Sequence, residues 1–128
     1  GGYELAISRP EVITRMVDYM TANYDKVDAI IGLGDLVTGS IKRVFDQSGI
    51  APGEIPVVGW GNSLDTTQEV LLGYVNAAQW QDPQATSYMA LTLAAMAASG
   101  IPPGFDITTG ALYEADQAQI YDDILSGK

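Results

Sequence analysis

Apolar runs alternate with segments of helical spacing along this chain, and the alternation limits the possible folds more than any other feature. Val27–Leu33 and Ile55–Trp60 are mostly apolar, as is typical of strands that are covered on both faces. Between them, Leu36–Gln47 places its apolar residues at helical spacing. This order of strand, helix and strand predicts an α/β fold with a parallel, doubly covered sheet and right-handed crossovers.

The remaining elements are predicted from caps, breakers and periodicity. Ser8 can cap a helix that has Pro10 in its first turn, and no linker long enough to separate two independent domains is visible. The predicted strands are Tyr3–Ile7, Val27–Leu33, Ile55–Trp60 and Gly73–Trp80, with an extended segment at Phe105–Tyr113. The predicted helices run from Ser8 to about Asn23 and over Leu36–Gln47, Leu64–Leu72, Pro83–Ala98 and Ala115–Leu125.

The composition of the chain narrows the range of functions that it can have. The chain has 16 Asp and Glu against 6 Lys and Arg, a formal net charge of −10. Nucleic acids and anionic membranes are bound by clustered basic residues, so neither is expected as a partner. The sequence contains no Cys and no His, which excludes a Ser-His-Asp triad, a Cys-His dyad and a zinc site with imidazole ligands within this chain. We therefore expect a binding protein rather than an enzyme, without a cofactor or a metal.

Ligands of parallel α/β sheets bind at the carboxyl ends of the strands, so the residues after each strand are the first candidates. Asp35 follows the apolar run Val27–Leu33 at the start of a helix. Its carboxylate has two alternative roles, either capping the helix or accepting hydrogen bonds from a polar ligand. The glycine-rich stretch around it is no phosphate loop, because Val37 stands where a dinucleotide fingerprint needs Gly and Ser40 where a P-loop needs Lys.

Further candidates lie at the other strand ends. Gln81 offers an amide donor and acceptor, which suits sugar hydroxyls. Trp60 and Trp80 each stand at the end of a strand, where an indole either stacks on a sugar ring or belongs to the core. Arg9 follows Ser8 in a strand-to-helix loop and is either a polar ligand contact or a solvated surface residue.

Three segments occur in a characteristic order, VDAIIGLGDLVTGSIKRVFDQSG, EIPVVGWGN and LLGYVNAAQWQDPQA. In this order they resemble the periplasmic binding proteins of the ribose/galactose type, the substrate-binding components of ABC sugar importers. The chain has Gly34-Asp35 where the family has Asn-Asp, and Gly59–Gly61 where the family has Gly-Phe-Asp. It has Gln81–Pro83 at the family's Gln-x-Pro step.

The resemblance implies a function and a set of ligand contacts. The protein would bind a small sugar or polyol in the periplasm or outside the cell, without catalysis, and deliver it to a membrane permease. Asp35 would be the ligand-binding carboxylate and Gln81 the amide at the hinge, while the loop of Ser8 and Arg9 would add a polar contact. The effector-binding domain of a LacI-type repressor shares this fold and is the main alternative. An enzyme of flavodoxin-like or other α/β fold is a second one.

The resemblance also implies that the chain is part of a two-lobed protein of about twice its length. Residues 1–80 and about 107–128 would belong to the C-terminal lobe, residues 83–106 would pack with the N-terminal lobe, and the hinge crossing would lie near residues 79–82. The isolated chain is then expected to self-associate or to occur with a complementary lobe or second chain, and to bind sugar weakly or not at all.

Overall fold

The chain folds around a four-stranded sheet in a computed structural model that describes residues 8–102 and 110–128. β1, β2 and β3 are parallel, whereas β4 is antiparallel to β3. In sheet order the strands are β1 (Ile30–Gly32), β2 (Val57–Trp60), β3 (Ala77–Gln81) and β4 (Gly110–Tyr113). The predicted α/β fold is confirmed, with β4 as an antiparallel addition. The predicted strand Tyr3–Ile7 and residues 105–109 of the predicted extended segment lie outside the described residues.

Helices connect and flank these strands. In the described part of the chain they are α1 (Arg9–Asn23), α2 (Asp35–Thr38), α3 (Ile41–Ser48), α4 (Leu64–Leu71), α5 (Pro83–Ala98) and α6 (Ala115–Ser126), with a short 3₁₀ turn at Tyr24–Lys26 after α1. α1 packs on α3, and α4 packs on α6. None of these helices is both long and apolar enough to cross a membrane.

The single helix predicted over Leu36–Gln47 is wrong, because the structure contains two helices separated at Gly39 and Ser40. A Cβ added at Gly39 would lie 3.1 Å from both the Asp65 Cβ and the Thr66 Oγ1, so the start of α4 crowds the chain at this point. The interruption ends α2 over the sheet and gives α3 a separate N-terminus, where the Lys42 N–H donates a hydrogen bond to Glu69 of α4.

One face of the sheet carries the core. Gly32 of β1 and Gly59 of β2 turn to this face, and the fully buried Thr38 of α2 lies directly over both. A Cβ at Gly32 would come 2.4 Å from the Thr38 Oγ1, and one at Gly59 would come 2.3 Å from it. The two glycines therefore let α2 contact the strand backbones, and this contact places Asp35, the first residue of α2, at the carboxyl ends of β1 and β2.

The opposite face of the sheet is less covered than the apolar sequence of its strands predicts. Ile31, Val58 and Leu112 alternate with the core residues of β1, β2 and β4, and they are 68%, 42% and 66% exposed. In residues 8–102 and 110–128, the helices that contribute the core lie on the other side, so these side chains form an apolar surface.

α5 has the predicted bounds, since it starts at Pro83 and ends at Ala98. The Asp82 carboxylate caps it by accepting a hydrogen bond from the Ala85 N–H at 2.9 Å. No residue of α5 is buried, and its Tyr88 and Leu91 side chains are about 70% exposed. The helix therefore leaves these two side chains exposed, while Met89, Leu93 and Met96 are half-buried.

Candidate ligand-binding site

Three neighbouring strands end in one row. β1 is followed by Gly34-Asp35, β2 by Gly61–Ser63, and β3 ends at Gln81. We call these three segments the exit row. Because β1, β2 and β3 are parallel and adjacent, their carboxyl ends lie at the same edge of the sheet, as the sequence predicts.

Asp35 connects the segments that follow β1 and β2 by hydrogen bonds. Its Oδ1 accepts hydrogen bonds from the Ser63 N–H at 2.9 Å and from the Thr66 hydroxyl at 2.8 Å. Gly34, not Asp35, is the N-cap of α2, and the Asp35 side chain bonds to the start of α4 instead of its own helix. The alternative in which Asp35 caps the helix that follows β1 is therefore wrong, because the carboxylate bridges to α4.

The second oxygen of the same carboxylate is open. Within the described residues, Oδ2 of Asp35 has no hydrogen-bond partner, and Asp35 is only half-buried. Gly34 beside it has an extended backbone, and a Cβ added there would meet no atom within 4 Å. Asp35 thus combines one oxygen that is bonded to α4 with a second oxygen that is free to accept hydrogen bonds.

The surroundings of Gly61 explain why glycine, and not an acidic residue, follows β2 in this chain. A Cβ at Gly61 would lie 2.4 Å from the Thr66 Oγ1 and 2.6 Å from the Asp35 Oδ1. The space of a side chain at position 61 is already filled by the hydrogen-bonded pair of Asp35 and Thr66. A carboxylate at position 61 and the observed bridge from Asp35 therefore exclude each other.

The buried Tyr113 hydroxyl supports the same loop from beneath. It donates a hydrogen bond to the Gly61 carbonyl at 3.3 Å. Burial, and after it the negative charge of Asp35, raises the pKa of the Tyr113 hydroxyl well above its usual value. Tyr113 is consequently a neutral hydrogen-bond donor at neutral pH.

Asn62 joins the second exit to the third. Its Oδ1 accepts a hydrogen bond from the Gln81 N–H at 2.8 Å, and its Nδ2 donates to the Gln81 carbonyl. Gln81 itself is exposed at the edge where Asp35 lies. The structure thus brings the two main predicted residues, Asp35 and Gln81, into one row. Asn62 was not predicted, since an Asn in a loop has no local pattern that reveals a partner at position 81.

Arg9 is held by structural contacts. Its Nη1 lies 2.5 Å from the Gly39 carbonyl oxygen and 2.7 Å from Asp65 Oδ2. The interpretation of Arg9 as a solvated surface residue is wrong, because these bonds join the start of α1 to the end of α2 and the start of α4. Ser8 is exposed and its side chain makes no capping bond, so the predicted cap at Ser8 is limited to its carbonyl, which accepts from Val12.

The two tryptophans point to opposite faces of the sheet. Trp80 stacks on Tyr121 with the ring centres 4.4 Å apart and an angle of 15° between the planes, and Tyr121 also contacts Tyr113. One face of the Trp80 indole is therefore taken by core packing. Trp60 ends β2 on the less covered face and is 44% exposed, which leaves it available for contacts outside the core.

The donor set of the described residues does not favour a metal. No three Asp or Glu side chains within residues 8–102 and 110–128 are grouped closely enough to hold an ion. The exit row instead offers one carboxylate oxygen, one side-chain amide and backbone groups. Such neutral and singly charged groups recognise hydroxyls by hydrogen bonding.

The profile of one protein family matches most of the chain. The match is to the periplasmic binding protein domain and covers residues 6–102. The chain belongs to this family. The family match agrees with the fold, which is that of a lobe of such a protein. No curated protein sequence matches the chain.

Solved structures of several binding proteins are similar in fold to this chain. One is a galactofuranose binding protein, with 18% identity over 93% of this chain and a TM-score of 0.68. Another is the binding component of an arabinose ABC transporter from Shewanella sp. ANA-3, with 16% identity over 94% and a TM-score of 0.73. A third is a myo-inositol binding protein from Caulobacter, with 15% identity over 94% and a TM-score of 0.65. The chain spans 42%, 41% and 41% of these three proteins, about two fifths of each.

Proposed function

We propose that this periplasmic binding protein domain holds a small sugar or polyol at the exit row, without catalysing a reaction. The observation that carries the proposal is the joining of three strand exits through Asp35 and Asn62, which leaves the Asp35 Oδ2 and the Gln81 side chain open at one edge. The three solved relatives named above are described as binders of galactofuranose, arabinose and myo-inositol, which supports a polyhydroxylated ligand.

The chemistry of the exposed groups suits such a ligand. A carboxylate oxygen accepts hydrogen bonds from one or two hydroxyls, and a side-chain amide donates to one oxygen while accepting from another. Trp60 is the last residue of β2 and its indole is partly exposed, so it can offer apolar contact to a sugar ring. The sequence supplies no His and no Cys, so the proposal includes binding alone.

The wider biological setting follows from the family. In the proposal, the chain contributes to one lobe of a two-lobed, periplasmic or extracellular protein that passes its ligand to the permease of an ABC importer. Residues 1–80 and about 107–128 form that lobe, the hinge crossing lies near residues 79–82, and residues 83–106 pack on the other lobe. The absence of buried residues in α5 supports this division, because the exposed Tyr88 and Leu91 side chains are available to pack on another lobe.

NMR titration of the chain tests the proposal. L-arabinose, D-arabinose, D-galactose and myo-inositol are added at millimolar concentrations to ¹⁵N-labelled protein, and the backbone amide shifts are followed. We expect at least one compound to shift the amides of the exit row while those of Arg15 and Asn23, on α1, stay unchanged. An absence of shifts with all four compounds, or shifts confined to other surfaces, contradicts the proposal.

Calorimetry on the native protein that contains this chain and a second lobe provides the complementary test. Closure of two lobes around a ligand buries more of it than one lobe can, so tighter binding is expected there.

The three relatives named above are solute binders, and nothing in the described structure favours the repressor or the enzyme alternative.

A further inference from the structure

The hydrogen bonding between β2 and β3 ends in an unusual way. Trp60 pairs with Gln79, and the Gly61 N–H donates to the Gln79 carbonyl at 3.3 Å. In a continued parallel ladder, the carbonyl of Gly61 would next accept from the Gln81 N–H. That carbonyl instead receives the Tyr113 hydroxyl, and the Gln81 N–H is bound by the side chain of Asn62.

A single side chain thus replaces a rung of the sheet. The Asn62 carboxamide accepts from the N–H and donates to the carbonyl of Gln81, so it satisfies both backbone groups of that residue. This pairing also fixes the orientation of the amide. In the flipped orientation, the Asn62 NH₂ group would face the Gln81 N–H and the Asn62 oxygen would face the Gln81 carbonyl. The last residue of β3 is therefore held on its β2 side although β2 has already ended.

The next residues show what this contact controls. Asp82 follows Gln81 and caps α5, and Pro83 is the first residue of that helix. α5 buries no residue in the described structure, so its own packing does not hold its start in place. β4 pairs with β3 as far as Gln81, opposite Gly110, and the two hydrogen bonds from Asn62 fix the β2 side of the backbone just before the helix leaves the sheet.

We infer that Asn62 is a positioning residue, whose carboxamide fixes the Gln81 backbone and thereby both the direction of the Gln81 side chain and the exit of the chain into α5. The part that concerns ligand binding rests on the proposed function. Asparagine is required because alanine lacks both bonding groups, and aspartate keeps the acceptor but loses the donor and places a negative charge beside the Gln81 carbonyl.

Amide hydrogen exchange tests the inference without any ligand. Exchange at the Gln81 N–H is compared by NMR in wild type, Asn62→Ala, Asn62→Asp and the control Asn23→Ala, which removes an exposed asparagine bond to the Tyr19 carbonyl. We expect exchange at Gln81 to accelerate about tenfold in Asn62→Ala, the change expected for loss of a hydrogen bond of ordinary strength. The Ser63 N–H, which is held by Asp35, and the thermal midpoint should match those of the control.

The aspartate variant keeps the test decisive even if the alanine variant does not fold. It retains the size and the acceptor of Asn62, so it should keep the fold while changing the chemical shifts of Gln81 and Asp82. Unchanged exchange at Gln81 in Asn62→Ala, or unchanged shifts at Gln81 in Asn62→Asp, overturns the inference.

The same variants separate this inference from the proposed function. If one of the four compounds named above binds the wild type, Asn62→Ala should weaken its binding about tenfold without lowering the thermal midpoint below that of Asn23→Ala. Equal affinity of Asn62→Ala and wild type would overturn the ligand part of the inference. If no compound binds the wild type, the proposed function fails, while the exchange measurement still decides whether Asn62 holds Gln81.

Discussion

Glu69 of α4 holds the N-terminus of α3, for its Oε2 accepts a hydrogen bond from the Lys42 N–H at 3.1 Å across 27 positions of sequence. Ser40, the N-cap of α3, makes no capping bond with its own side chain. The first turn of α3 is therefore satisfied by a carboxylate from another helix rather than by a local cap. Glu69 is 5% exposed, and this burial has consequences for the dependence of stability on pH.

The first prediction concerns this dependence. Burial raises the pKa of Glu69 to about 7, against the opposing effect of the hydrogen bonds from Lys42 and Ile41. Asp65 adds to the increase in the pKa and Arg9 opposes it. The folded state holds this proton more tightly than the unfolded state. The resulting contribution to the free energy of unfolding is therefore fully present below the usual glutamate pKa and is lost as the pH rises toward 7.

Glu69→Gln should remove this loss, because glutamine keeps an acceptor for the Lys42 N–H without a buried charge. We expect the variant to exceed wild type in stability by on the order of 1–3 kcal/mol at pH 8, with the difference shrinking toward pH 4.5. Urea unfolding at several pH values measures it. Glu11→Gln, which removes an exposed carboxylate paired with Arg15 on α1, is the control and should not gain stability over wild type as the pH rises. A constant difference between pH 4.5 and 8 would contradict the assignment.

The second prediction compares two glycines of the exit row. Gly61→Ala should destabilise the protein by about 1–3 kcal/mol, because the new methyl group would overlap Thr66 and Asp35. Gly34→Ala should be neutral or stabilising by up to about 1 kcal/mol, because its backbone is extended and its surroundings are open. Chemical denaturation of both variants measures the contrast, and equal effects would show that the Asp35–Thr66 pair does not fill the space at Gly61.

The third prediction separates the two oxygens of Asp35. Asp35→Ala removes the acceptor of the Ser63 N–H and the Thr66 hydroxyl, which should cost about 1–3 kcal/mol of stability. Asp35→Asn keeps one acceptor oxygen and should retain most of that stability. If the carboxylate binds ligand as proposed, both variants lose a charge-assisted hydrogen bond to it, worth roughly 1.5–3 kcal/mol in affinity. Unchanged ligand affinity in both variants would rule out Asp35 as a ligand contact.

The fourth prediction concerns association of the chain. Ile31, Val58 and Leu112 form an apolar surface on the less covered face of the sheet. Burial of each such side chain is worth roughly 1.5–3 kcal/mol, so the isolated chain should self-associate as its concentration rises. Light scattering should show a smaller average mass for the double variant Ile31→Thr, Leu112→Thr. The control Ile120→Thr alters an equally exposed residue of α6 and should leave the mass unchanged. A wild-type monomer at all concentrations would refute this prediction.

The fold was largely predictable from local patterns. The apolar runs around Ile30–Gly32 and Val57–Trp60 predict β1 and β2, and Pro83 predicts the start of α5. The sequence patterns predict strands that begin too early, because they show which residues are apolar and not where the hydrogen bonds between strands begin. Gly73, for example, has a φ of +77° in the turn after α4, so β3 starts only at Ala77.

The rest depends on contacts between distant residues. The separation of α2 from α3 arises from the approach of Asp65 and Thr66 to Gly39, which no local pattern contains. The position of Asp35 at a strand end was predictable, whereas its bonds to Ser63 and Thr66 were not. The sequence likewise could not show that Trp80 meets Tyr121 while Trp60 stays exposed, since both stand at the end of an apolar run.

The packing of Thr38 on Gly32 and Gly59 makes three positions depend on one another during divergence. A relative that acquires alanine at position 32 or 59 has to replace Thr38 with a smaller residue or lift α2 from the strands. While the three residues are kept together, the first turn of α2 cannot slide over the sheet, and the carboxylate of Asp35 stays at a fixed height above it. In relatives that keep this triplet, we expect ligand preference to change mainly through side chains along the row, because the packing of Thr38 fixes the backbone of α2.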